Sequence, residues 1–141
     1  EVIQTLGSEA NSIVVYNGDV YVATEYTVYK NGEVIQSANK GEHFYSLFIL
    51  DGDVDIGGNG NVWKNGNVEY SINGSVSSVF VSGNDVYVTT EFYVFKNGEV
   101  IQSASVSEYS PLIIDSFSSV FVSGNDVYVS GYYFKTVRYC D

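Results

Sequence analysis

One stretch of this 141-residue chain has the spacing of a metal loop: Asp51-Gly52-Asp53-Val54-Asp55. Carboxylates at alternate positions wrap calcium when the backbone loops tightly, with glycine at the sixth position. Here the sixth position is Ile56. Alignment with the rest of the chain gives a plainer reading. Asp51-Gly52 is a hairpin turn, and Asp53 and Asp55 share one face of a strand, spread apart rather than converging. Asp51, Asp53 and Asp55 are therefore weak calcium candidates, and no metal or cofactor is expected. Asp55 stands where Tyr21, Tyr87 and Tyr128 stand in related segments. A carboxylate in a packing position is costly unless paired or near water, so Asp55 is expected at a central channel or solvated gap, as a candidate ligand contact.

The aromatic residues suggest a second chemistry. There are 13 tyrosines, eight phenylalanines and one tryptophan. Aromatic faces beside polar groups are what sugar sites use, because pyranose C–H faces stack on π systems. Tyr26, Tyr93, Tyr132 and Tyr133 fall near turns, where exposure is expected, and with Asp55 they form the candidate ligand-binding set. The other aromatics read mainly as core. Trp63 aligns with Tyr29, Phe95 and Phe134, which marks it as packing.

Catalytic groups are sparse, and no enzyme is expected. The single histidine, His43, lies in a loop-like stretch where a solvated side chain is the ordinary outcome. No serine sits in a nucleophile-elbow pattern, and no Cys/His set has metal-ligand spacing. Gly57-Gly58-Asn59-Gly60 lacks the following helix that a phosphate cradle needs. Cys140, the one cysteine, excludes an internal disulfide and leaves an inert thiol or an intermolecular bridge. Asn73-Gly74-Ser75 is a glycosylation sequon expected at the surface.

The elements that position these residues are repeats. SSVFVSGNDVYV occurs identically at 77–88 and 118–129, with looser copies at 12–22 and 46–56. An aromatic-lysine pair follows each: Tyr29-Lys30, Trp63-Lys64, Phe95-Lys96 and Phe134-Lys135. Valine, isoleucine and aromatic residues favour strands, and Asn-Gly or Asp-Gly pairs supply hairpin turns that need positive φ. The chain therefore reads as all-β, a β-propeller of four four-stranded antiparallel blades at about 12–37, 46–72, 77–103 and 117–139. The fourth unit lacks a last strand, and residues 1–6 are expected to supply it, closing the ring and hiding its edges. Lys30 and Glu33, and Lys96 and Glu99, are expected to pair across hairpins, as Lys135 would with Glu1. Residues 104–116 exceed the repeat and are expected to form an ordered flap rather than an extra edge strand. One ring per chain, or two chains in one eight-bladed ring, would show the same repeat packing.

VFVSGNDVYV and WKNG, in this order and spacing, resemble the tandem units of a group of bacterial secreted β-propeller proteins. The resemblance spans essentially the whole chain and weakens in the second unit, where DVDI replaces DVYV. It implies the fold.

Seventeen acids against six bases give a formal charge of −11. That repels phosphate backbones and anionic lipid, so nucleic acid is not an expected partner. No apolar run approaches the roughly 20 residues of a bilayer span, so membrane insertion is not expected. No signal-peptide pattern stands in the chain, and its start at Glu1 is expected of a processed mature form or a trimmed chain. The function that follows is a secreted, extracellular, non-enzymatic binding module, recognising a glycan or protein through propeller loops. The second reading is a self-associating subunit of an extracellular polymer or matrix, to which the nearly uncharged strand EVIQS at 99–103 and the terminal Cys140 point.

Overall fold

The computed structural model describes residues 6–104 and 113–135. Every regular element among them is a strand, arranged in four antiparallel sheets that follow one another along the chain. The first sheet is a meander of β1 (Ala10–Tyr16), β2 (Asp19–Thr24), β3 (Thr27–Lys30) and β4 (Glu33–Ser37). The second holds β5 (Phe44–Leu50), β6 (Asp53–Lys64) and β7 (Asn67–Ser75). The third repeats the four-stranded meander with β8 (Ser78–Ser82), β9 (Asp85–Thr89), β10 (Tyr93–Lys96) and β11 (Glu99–Ser103). The fourth is the hairpin of β12 (Ile113–Ser123) and β13 (Asp126–Lys135).

The second sheet follows the same plan as the first and third, although β6 runs unbroken. The Asn65 N–H donates to the Val54 carbonyl at 2.9 Å. Eleven residues of extended chain would separate those groups by about 36 Å. β6 therefore doubles back at Gly57 to Gly60, with Gly60 at φ 76°.

Each of the first three sheets is locked by the same side-chain bridge. Asn31, Asn65 and Asn97 open the second turn at φ near 50°, a conformation that asparagine tolerates. Each side-chain amide accepts from a strand N–H (Val20, Val54, Val86) and donates to the aspartate beside it (Asp19, Asp53, Asp85) at 2.8 Å. The neighbouring lysine completes the set: Lys30, Lys64 and Lys96 lie 3.0, 3.4 and 3.3 Å from those aspartates. This corrects the expected ion pairs. Lys30 is in register with Glu33, and Lys96 with Glu99, but the ammonium groups turn to Asp19 and Asp85. The aspartate already offers an oriented, asparagine-bonded carboxylate. Bonding to the asparagine first, and the lysine after it, holds the Asp19 and Asp85 carboxyls below their ordinary pKa. Replacing Asn65 with alanine removes both side-chain bonds and forces a Cβ residue without local bonding into the left-handed region. We expect it to cost roughly 2 kcal/mol in chemical denaturation. Asn65→Gly, which relieves only the backbone, should recover about half of that loss.

The fourth sheet departs from the repeat. Instead of turning back after Val129, β13 continues through Gly131 and pairs residue by residue with the early part of β12, Ile113 opposite Lys135. Among the described residues the last unit is thus a long two-stranded hairpin, where the expected form has its second and third strands as separate elements. Its sequence lacks the Thr-Glu-aromatic turn that reverses the first and third units (Thr24-Glu25-Tyr26, Thr90-Glu91-Phe92), and Gly131 lies too close to the Ser116 carbonyl to carry a Cβ. Of the expected flap, residues 113–116 belong to β12, and 105–112 lie outside the described residues. Glu1 with its strand, and Cys140, also lie outside them.

Adjacent sheets pack face to face through their first strands, β1 on β5, β5 on β8 and β8 on β12. One core joins the first two sheets (Tyr21, Val28, Phe44, Leu47, Ile56, Trp63), the next joins the second and third (Val62, Val79, Val81, Val88, Phe95), and a smaller one the third and fourth (Tyr87, Val120, Val122). A serine hydroxyl marks each junction. The N–H groups of Leu47, Val79 and Val120 donate to Ser12, Ser46 and Ser78 of the preceding sheet at 3.2, 3.2 and 3.3 Å.

Candidate binding cleft

A cleft of about 320 Å³ opens where the first two sheets meet, lined by Glu9, Asn11, Thr24, Glu25, Tyr26 and Tyr45 together with Ser8. β-Bulges aim two of these side chains. The register of β1 on β2 slips at Asn11, and that of β5 on β6 slips at Tyr45. A bulge turns one residue out of the alternating pattern, and both bulged residues point into the cleft. The Asn11 amide is held by the Phe44 carbonyl at 2.8 Å. The β2–β3 turn that carries Glu25 and Tyr26 is fastened by Thr24, whose hydroxyl donates to the Thr27 carbonyl and accepts from its N–H.

Tyr26 and Tyr45 line the cleft, and His43 lies between them to complete a row of three rings. Tyr26 and His43 lie 5.3 Å apart, and His43 stacks on Tyr45 at 6.2 Å and 11°. His43 is anchored by the Glu25 carboxylate, 2.8 Å from its Nδ1. The Glu25 carboxylate, by hydrogen bonding first and burial second, pushes the Tyr26 phenol above its ordinary pKa. Backbone bonds tie the row to both sheets: the Phe44 N–H donates to the Glu25 carbonyl at 2.7 Å, and the Asn59 N–H to the His43 carbonyl at 3.1 Å. Gly58 sits so close to the His43 carbonyl that a Cβ there would clash.

The structure sorts the sequence-derived candidates. Tyr26 is exposed and lies in the cleft. Tyr93 is half-buried and packs 5.9 Å from Phe95 against the second core, so its expected exposure is corrected. Tyr132 is exposed, far along the chain on β13. Tyr133 is on β13 opposite Asp115; its side chain lies outside the described residues.

Asp55 also differs from expectation. It reaches no solvated gap: it is 1% exposed and its Oδ1 has no hydrogen-bond partner. It shares a face with its strand partner Phe48, which packs against the core of the second and third sheets. Burial, then the Glu69 charge, raises its carboxyl to about 6. Asp51 lies in the turn at φ 51°, and Asp53 is occupied by Lys64 and Asn65. No group of three or more His, Cys, Asp or Glu among the described residues could hold a metal ion. The three aspartates thus do not converge on a calcium site.

His43 is what the sequence reading missed. It is not a freely solvated loop residue but the middle of the aromatic row. Glu25-Tyr26 at one turn and His43-Phe44-Tyr45 at the start of β5 were visible as polar-aromatic clusters, but only the bulges bring them together. A second, more open cleft of about 490 Å³ lies at the β1–β2 turn, beside Tyr16, Asp19, Lys30 and Asp51. Its polar groups are already paired with one another: Lys30 with Asp19, and the Tyr16 hydroxyl with Asp51.

No protein-family model matches the chain, and no curated protein sequence does. Solved structures match the fold. The computationally designed Ika4 protein superposes with a TM-score of 0.64 at 14% identity, over 94% of this chain and 95% of that one. The computationally designed Ika8 protein gives 0.60 at 13% identity over 93% of this chain, which spans 48% of Ika8. The extracellular domain of a hybrid two-component system from B. thetaiotaomicron gives 0.62 at 18% identity over 86% of this chain, which spans 20% of that solved chain. At these identities the likeness is one of fold: the chain is similar to them in its all-β architecture of successive antiparallel sheets.

Proposed function

We propose that the protein is a non-enzymatic, extracellular binding module whose four sheets act as propeller blades, and that it takes a glycan in the cleft between the first two. The observation that carries this reading is the row Tyr26–His43–Tyr45, flanked by Glu25, Glu9 and Asn11. Stacked rings offer a flat apolar face, and carboxylate and amide groups beside them accept and donate to sugar hydroxyls. Two glutamates at the cleft, in a chain of net charge −11, disfavour sialylated or sulfated sugars and favour neutral or amino-bearing pyranoses. The set occurs once among the described residues: in sequence register, Ser77 and Ser118 stand at the third and fourth sheets where Tyr45 stands in the second.

A glycan array, followed by titration calorimetry on the best binder, tests this. Tyr26→Ala and Tyr45→Ala should each weaken binding about tenfold, in the range of one lost stacking contact of roughly 1.4 kcal/mol. Tyr26 is exposed, so its variant should unfold at the wild-type denaturant midpoint. Unchanged affinity in both variants would refute the cleft as the binding site.

A second reading, a self-associating extracellular subunit, is favoured by the apolar faces that the two terminal sheets leave open. Ile13 and Val15 lie on one, and Phe121 and Tyr128 on the other.

A further inference from the structure

Each junction between sheets is built from the same two half-surfaces. The trailing half is the first residue pair of a first strand, Leu47 and Ile49, Val79 and Val81, or Val120 and Val122. All six are buried against the sheet before them, the first of each pair 4% exposed. Ile13 and Val15 occupy the same register in β1, and each is 66% exposed. The leading half is the opposite face: Tyr21 packs on the second sheet, and Tyr87 with Phe80 packs on the fourth. Their equivalents in the fourth sheet, Tyr128 and Phe121, are each 57% exposed. Among the described residues one trailing half and one leading half are left over, and they are not packed on each other.

We infer that these two surfaces are the halves of a fourth junction made with a second copy of this chain, the β1 face of one copy seated on the β12–β13 face of the other. The occupant follows from repetition, because this chain already uses the same pairing three times. The ring ladder Phe48–Phe80–Phe121, with centroids 4.7 and 4.9 Å apart, ends at the open face of Phe121. Val14, the equivalent residue of the first sheet, is the next rung. The serine bridge continues in the same way. Ser119 stands where Ser12, Ser46 and Ser78 stand, and its hydroxyl would accept from the partner's Ile13 N–H. Because the two halves differ, the contact is heterologous: two copies close a ring through two junctions, and a mismatch in angle would instead add further copies. This inference does not rest on the glycan reading, since the aromatic cleft lies within one copy.

Light scattering with size exclusion, in reductant so that no Cys140 disulfide contributes, reads the outcome directly. Wild type at 100 µM should run at twice the 15.5 kDa chain mass, or at a higher multiple if the ring stays open. Val15→Glu and Phe121→Asp, each at an exposed position, should separately return the mass to that of one chain with the circular dichroism spectrum unchanged. Mixed in equal amounts, the two variants should regain a two-chain species. Each spoils a different half, and one intact junction remains. A wild-type mass of 15.5 kDa at 1 mM would overturn the inference, as would variants that remain associated. A Val15→Glu protein that unfolds would also overturn it, because that would show Val15 buried within a single closed chain.

Discussion

Asp55→Asn should make the protein more stable at neutral pH and remove most of the pH dependence of its unfolding between pH 4.5 and 7. Asp55 is a buried carboxyl with an unpartnered oxygen, raised to about 6 from 3.8 by burial first and by Glu69 second. Because the folded state holds the proton more tightly than the unfolded chain does, this group favours folding fully only below its unfolded value. That advantage is lost as the pH rises through 6. A shift of this size corresponds to about 3 kcal/mol lost between pH 4 and 7. Asparagine has nearly the same shape and no charge, so the variant should be flat over that window. It should exceed wild type at pH 7.5 by roughly 2 kcal/mol, the remainder being the cost of an unpartnered amide. Asp19, Asp53 and Asp85 titrate in the opposite sense, since their carboxyls are held below 3.8. Their loss of stabilisation therefore falls at lower pH and does not obscure the effect. Urea midpoints at pH 4.5, 5.5, 6.5 and 7.5 decide the matter. Parallel curves for wild type and variant would show that Asp55 carries no such shift.

The same residue shows how far the sequence could be read. Asp55 stood out because three tyrosines occupy its place in the other units, and in two of those units a lysine lies over the ring: Lys30 over Tyr21 at 5.5 Å and Lys96 over Tyr87 at 5.6 Å. The oddity was legible; its burial was not, since burial depends on what the neighbouring sheet brings. Turns were read well because asparagine, aspartate and glycine report backbone conformation locally. Asn17, Asn31, Asp51, Asn65 and Asn97 all have positive φ, as the hairpin pattern requires. The Lys–Glu pairs were misread because strand register places residues opposite each other without saying where a long side chain will turn. Asp19 lies 11 positions before Lys30 and meets it only after the β2–β3 turn has formed. The fourth unit repeats the sequence of the third through Val129, yet continues straight where the others reverse. Strand content follows composition, whereas reversal depends on a few turn residues. The aromatic row was invisible for a related reason: a bulge leaves no mark in hydrophobic alternation, and Asn11 and Tyr45 reach the cleft through bulges.

Phe44→Ala should be among the most damaging single changes in the molecule, with a loss of about 3–5 kcal/mol. Phe44 is fully buried and meets Trp63 edge-on, centroids 5.3 Å apart and planes at 86°. It begins β5 at a bulge, so its backbone binds sideways as well as along the ladder. Its N–H reaches the Glu25 carbonyl of the first sheet, and its carbonyl takes the Asn11 amide. Truncation would open a cavity beside Trp63 and Gly58, and Gly58 already lies too close to the His43 carbonyl to carry a Cβ. Relaxation into that space would pull on His43 and Tyr45, the residues on either side. Phe44→Leu keeps most of the volume and should cost less than about 2 kcal/mol. The pair therefore separates a packing role from a site role. If Phe44 only packs, Phe44→Leu should bind glycan like wild type once folded; if its edge contact with Trp63 sets the pitch of the aromatic row, the same variant should be stable but bind weakly. A Phe44→Ala protein within 1 kcal/mol of wild type in urea would show that the first core does not depend on this ring. The union of the first two sheets, and the cleft above it, would then rest on the other core side chains and on the hydrogen bonds between the sheets.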